Sequence, residues 1–80
     1  MLVEHLVKAE RLVKAERLVK AERHVALGEE HLERQRRVVA ERQRQGLDTN
    51  EAVDLLMRFE RLQTMHVAGR DRLRAELGAL

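Results

Sequence analysis

"RQGLDTNEA", residues 44–52, is the one place where an otherwise unbroken helical pattern stops. Gly46 suits the left-handed backbone position that ends a helix. Asp48, with Glu51 three residues on, reads as the N-cap of a capping box, with Thr49 as the competing cap. There is no proline to interrupt either flank. The stretch therefore predicts helix 1 over about 2–45, a turn at 46–48 and helix 2 over about 49–77. So short a connection makes the helices antiparallel neighbours. The chain reads as a single all-α domain, 1–80: an antiparallel two-helix hairpin with a long first helix.

Working outward from the turn, each flank carries an apolar stripe at coiled-coil spacing. On helix 1 it is Leu18, Val25, Leu32 and Val39, with Ala21, Gly28 and Gln35 between them. On helix 2 it is Ala52, Phe59, His66 and Leu73, with Leu55, Leu62 and Gly69 between them. Facing residues in an antiparallel hairpin have nearly constant number sums. Val39 with Phe59, Gln35 with Leu62, His31 with His66, Gly28 with Gly69 and Val25 with Leu73 all give 97 or 98. This register pairs the two seam glycines in one close-packed layer and puts Gln35 at a wet edge. It sets Leu80 opposite Leu18 and leaves residues 2–17 overhanging helix 2 by roughly 24 Å at 1.5 Å per residue.

Most of that overhang is a perfect repeat, "LVKAERLVKAERLVKAER" over residues 6–23. Six residues advance about 600°, so each copy is turned about −120° from the last. Leu6, Ala9 and Val13 share one side, Leu12, Ala15 and Val19 a second, and Leu18, Ala21 and Val25 the hairpin seam. Glu4→Lys8, Glu10→Lys14 and Glu16→Lys20 are i,i+4 pairs in the favourable order, each worth about 0.2–0.5 kcal/mol. An apolar arm with no partner in its own chain predicts self-association through Leu6, Val7, Leu12, Val13 and Val19, in a homo-oligomeric helical bundle.

Composition agrees. Eighty residues with one aromatic side chain, Phe59, and no cysteine cannot build a large core or a disulfide staple. Charged residues are 38% of the chain and nearly balanced, at net +2. That is the make-up of long helices and coiled coils. No apolar run approaches a membrane span, and the N-terminus lacks a signal-peptide pattern, so the expected location is the cytoplasm, with no membrane partner.

Residues 24–77, "HVALGEEHLERQRRVVAERQRQGLDTNEAVDLLMRFERLQTMHVAGRDRLRAEL", resemble a group of small uncharacterised proteobacterial proteins common in rhizobia-like genomes. The shared marks are "HVA…GE.H..RQR" and "G.DT..A..LL..FE..Q..HVA.RDRL". The resemblance implies a helical hairpin and no particular activity. The identical hexads depart from it. They look like an insertion into a shorter "HLVKAERHVA" lead, by DNA slippage or by construction.

Two clusters carry candidate chemistry. His24, His31 and His66 fall near one layer, but their spacing matches neither a Glu-x-x-His di-iron pattern nor His-Glu-x-x-His, and a structural role is expected over a metal site. The basic excess lies in one block, Arg34, Arg36, Arg37, Arg42 and Arg44. It reads as a candidate anion site, or as a solvated face ion-paired with Glu51 or Asp54 on helix 2. No aromatic residues interleave, so nucleic acid is disfavoured. No nucleophile–base pair, convergent carboxylates or glycine-rich phosphate loop points to an enzyme or a cofactor. The expected function is a non-enzymatic, self-associating interaction module. The alternative is a small regulatory protein docking on a protein or nucleic-acid partner through the helix pair or the arginine block.

Overall fold

Helix α1 runs Leu2–Arg44 and helix α2 runs Asn50–Ala79 in the computed structural model, which describes residues 2–79. The chain is an all-α antiparallel hairpin, and no strand occurs among the described residues. Gly46 sits at φ 68°, and Leu47 N–H bonds Arg42 C=O at 2.9 Å while Gly46 N–H bonds Gln43 C=O at 3.2 Å. These two bonds are the Schellman arrangement, which satisfies carbonyls that the helix end leaves open. Capping of α2 is shared. Thr49 C=O accepts the first helical bond, from Val53 N–H at 2.8 Å, so Thr49 is the N-cap by backbone. Asp48 Oδ1 accepts the Asn50 N–H at 2.9 Å. The start of α2 therefore uses both residues that competed in the sequence.

The seam on α1 is continuous. Leu18, Ala21, Val25, Gly28, Leu32, Gln35 and Val39 are buried or half-buried, and the residues between them are exposed. On α2 the inward row is Ala52, Leu56, Phe59, Gln63, His66, Arg70, Leu73 and Leu77, flanked by the half-buried Val53, Val67, Gly69 and Glu76. Leu55 and Leu62, expected on this seam, are instead 40% and 49% exposed. Their neighbours Leu56 and Gln63 take the inward places.

The reason is a pair of buried side-chain amides. Gln63 Nε2 donates to Val25 C=O at 2.9 Å and to Glu29 Oε1 at 3.0 Å. Gln35 Nε2 donates to Ala52 C=O at 2.9 Å. Each helix thus sends one amide across to a main-chain carbonyl of the other, using the lone pair that the helical bond leaves free. Both glutamines are buried, at 9% and 6% exposure, so Gln35 is not at a wet edge. Gln63 fits because Gly28 has no side chain: a Cβ there would lie 1.7 Å from Gln63 Oε1. Gly28 is packed against Gln63 and not against Gly69, which has open space around its Cα.

These contacts set a different register from the one expected. Facing pairs Gln35–Ala52, Gln63–Val25, His24–His66, His31–Phe59 and Lys14–Glu76 have number sums between 87 and 90. Each α1 residue therefore faces a position about two turns earlier in α2. Helix α2 consequently reaches further along α1. Lys14 and Ala15 are already half-covered, and Lys14 Nζ lies 3.8 Å from Glu76 Oε2. The free arm is residues 2–13, about one turn shorter than 2–17. Leu80, expected opposite Leu18, lies outside the described residues.

The molecule is a rod of 68 × 15 × 14 Å with a radius of gyration of 18.6 Å. A globular 80-residue domain would have about 12 Å.

Two stability measurements follow from this packing. Gly46→Ala forces an L side chain into the left-handed region and lowers urea-unfolding stability by about 1–2 kcal/mol. Gly28→Ala gains about 1 kcal/mol of helix propensity. It also displaces the Gln63 amide and strands it, at about 1–3 kcal/mol, so the variant is destabilised on balance. In a Gln63→Ala background the same Gly28→Ala change should stabilise by about 1 kcal/mol. An unchanged sign between the two backgrounds would contradict this account of the seam.

Candidate interaction surface

The arm is helical up to Leu2 because its Ala, Leu, Lys, Glu and Arg are good helix formers and its charges alternate favourably. Glu10 and Lys14 are 3.2 Å apart, and the same Lys14 reaches across to Glu76. A second cross-helix pair, Arg74–Glu22 at 3.5 Å, ties the covered part of α1 to α2. All these pairs are solvent-exposed and worth little singly.

Beyond Lys14 no described residue of α2 covers α1. Leu6 and Leu12 are 61% and 66% exposed, and Leu2, Val3 and Val13 are exposed as well. Val7 is the most shielded of the apolar arm residues, and Val19 is exposed beside the covered seam. The five residues expected at an oligomer contact therefore all present apolar surface, on more than one side of the helix.

A second apolar surface lies on one flank of the hairpin. His24, Leu27, Gly28, His31 and His66 line a depression of about 300 Å3. Gly28, His31, Phe59, Leu62, Gln63 and His66 line an adjoining one of about 250 Å3. Gln63 occupies the space beside Gly28 and lines this groove, and the exposed Leu62 forms its α2 wall. The His24 and His66 ring centroids are 5.6 Å apart, and those of His31 and Phe59 are 5.8 Å apart. The structure thus gathers the three seam-side histidines, but as aromatic neighbours. No group of three metal-ligating side chains converges among the described residues. The His66 Nδ1 and Gln63 Oε1 atoms are buried there without a hydrogen-bond partner.

Gln63 and Leu27 are the groove residues that sequence reasoning missed. Apolar content favoured Leu62 over Gln63 for the inward place. The available signal was Gly28, whose absent side chain leaves room for a long polar one opposite.

The arginine block does not form one patch. Arg37 pairs with Glu33 at 3.1 Å, Arg44 pairs with Glu41, and Arg42 donates to Asp48 C=O at 3.3 Å. The ion-pair partners are on α1 itself, three or four residues away, and not Glu51 or Asp54 of α2. Arg34, Arg37 and Arg44 border a shallow surface that also holds Glu41, while Arg36 is not part of it. Glu41 offsets part of the positive charge of these arginines.

No helix among the described residues is long and apolar enough to cross a membrane. No protein family, curated protein or solved structure matches the chain.

Because the histidine rings sit as tilted aromatic neighbours instead of converging on one point, calorimetric titration of the protein with zinc is expected to give no saturable heat at micromolar concentrations. A one-to-one isotherm would show that the rings rearrange into a ligand set.

Proposed function

We propose that the protein is a non-enzymatic helical module whose task is self-association, with the N-terminal arm as its contact element. One observation carries this reading: the hairpin exposes far more surface than a chain of its size needs to. Its accessible surface is 6438 Å2 for a mass of 9.3 kDa. A folded monomer of that mass typically exposes about 5,000 Å2. Among the described residues the buried apolar ones are only Val25, Leu32 and Ala52. Small helical chains with so little core are commonly completed by oligomerisation. The exposed apolar side chains of the arm are where that completion is most available.

The hexads supply a clean test. Deleting Leu6–Arg17 removes two copies and brings residue 2 to the level where Lys14 stands, the end of α2's cover. The seam from Leu18 onward, the turn and the arginine block are untouched. Sedimentation equilibrium at tens of micromolar should give a multiple of 9.3 kDa for the full chain and a single-chain mass for the deletion. A full chain that sediments as one copy across that range would overturn the proposal.

A further inference from the structure

The arm and the histidine groove share one face of one helix. Eighteen residues make five turns at 3.6 residues per turn. Leu6, Ala9 and Val13 therefore point to the same side of α1 as His24, Leu27 and His31, and the last three line the groove. We propose that the arm of one chain lies in the groove of a second copy, and that the second copy returns the same contact. This inference rests on the self-association proposed above and specifies what receives the arm.

One symmetry operation makes both contacts. A two-fold axis perpendicular to α1 near residues 19 and 20 lays two α1 helices antiparallel, with each arm over the other's groove. Val13 then stands opposite Leu27. Such an isologous contact closes on itself and yields a dimer. The α1 side of the groove, His24–His31, spans about 11 Å at 1.5 Å per residue, so the arm from Ala9 onward covers it while Leu2–Leu6 extends past it over Arg34–Val38.

The flanking charges agree as well, and they offset the one like-charge contact, Lys20 against Lys20 at the axis. In antiparallel helix pairs, positions on the same flank meet each other. Glu16 and Arg23 are seven residues apart on one flank of this face and straddle the axis. Each Glu16 thus meets the Arg23 of the other copy, twice per dimer. Among the described residues neither is ion-paired within its own hairpin.

Area points the same way. The surface in excess of a compact monomer, about 1,400 Å2 per chain, covers the roughly 800 Å2 per partner of a standard stable interface. Two arms paired only with each other would bury about 17 Å of one helix face once, and would leave both grooves open. The reciprocal arrangement buries that length twice.

Three substitutions of half-exposed residues test this without touching the seam: Val13→Glu in the arm, Leu27→Lys on the α1 wall of the groove, and Leu62→Lys on its α2 wall. Helical circular dichroism confirms that each hairpin folds, and sedimentation reads the association. Each variant alone should weaken dimerisation tenfold or more. Mixing Val13→Glu with Leu27→Lys should restore a heterodimer, seen by native mass spectrometry with one variant 15N-labelled. If the full chain dimerises and Val13→Glu disrupts it while both lysine variants leave it intact, arm meets arm and the groove assignment is overturned. Loss of all three dimers without rescue on mixing overturns the Val13–Leu27 pairing and the proposed axis with it. A full chain that is monomeric at the outset removes the self-association reading itself.

Discussion

Two glutamine amides hold this hairpin in register. Gln63 reaches from α2 to the Val25 carbonyl, and Gln35 reaches from α1 to the Ala52 carbonyl. Apolar contacts alone would define the register weakly, because leucine against valine tolerates a shift of one heptad. A buried amide does not. Displaced, it loses a partner in a place water cannot reach, at about 1–3 kcal/mol. The two bonds lie ten or eleven residues apart on each helix and bracket Leu32, the most buried apolar side chain. They turn a general preference for antiparallel packing into one alignment. The reach of α2 along α1, the length of the free arm and the position of the groove all follow from that alignment.

Much of this was legible in the sequence, and the errors have a common cause. The turn was readable because its chemistry is local: Gly46, Asp48 and Thr49 act on their own backbone within a few residues. The α1 seam was readable because its heptad is unambiguous. The α2 seam was ambiguous. It offers adjacent residues at each alternate step, Leu55 or Leu56 and Leu62 or Gln63. Hydrophobicity chooses Leu62, whereas the fold chooses Gln63 because Gly28 lies opposite and a carbonyl is within reach. That choice is a property of the pair of helices and cannot be read from either one. The inward residues of α2 and its alignment were misread together: the expected pairing lay about two turns from the observed one, and the arm came out a turn too long. The arginine block was misjudged in a related way. Its partners were sought across the hairpin, while i,i+3 and i,i+4 neighbours such as Glu33 and Glu41 were closer.

The flank beside the Gly28–Gln63 contact is open. With Gln63 filling the space beside Gly28 and Leu62 turned outward, the hairpin has a shallow apolar trough there. The register device thus has a by-product: a concave apolar surface on a molecule otherwise made of convex rods.

The straightness of α1 gives the hexad repeat a property beyond length. Because α1 is unbroken from Leu2 to Arg44, every added copy moves the terminal apolar stripe by a third of a revolution as well as about 9 Å outward. A fourth copy would bring the outermost stripe onto the azimuth of the seam, in line with α2. One copy fewer would leave it on the side of Leu12 and Val19, away from the groove. Copy number therefore works as a three-position dial, repeating with every three insertions. A chain that gains or loses hexads one at a time would change which face it offers to its neighbours, while the hairpin beneath stays the same.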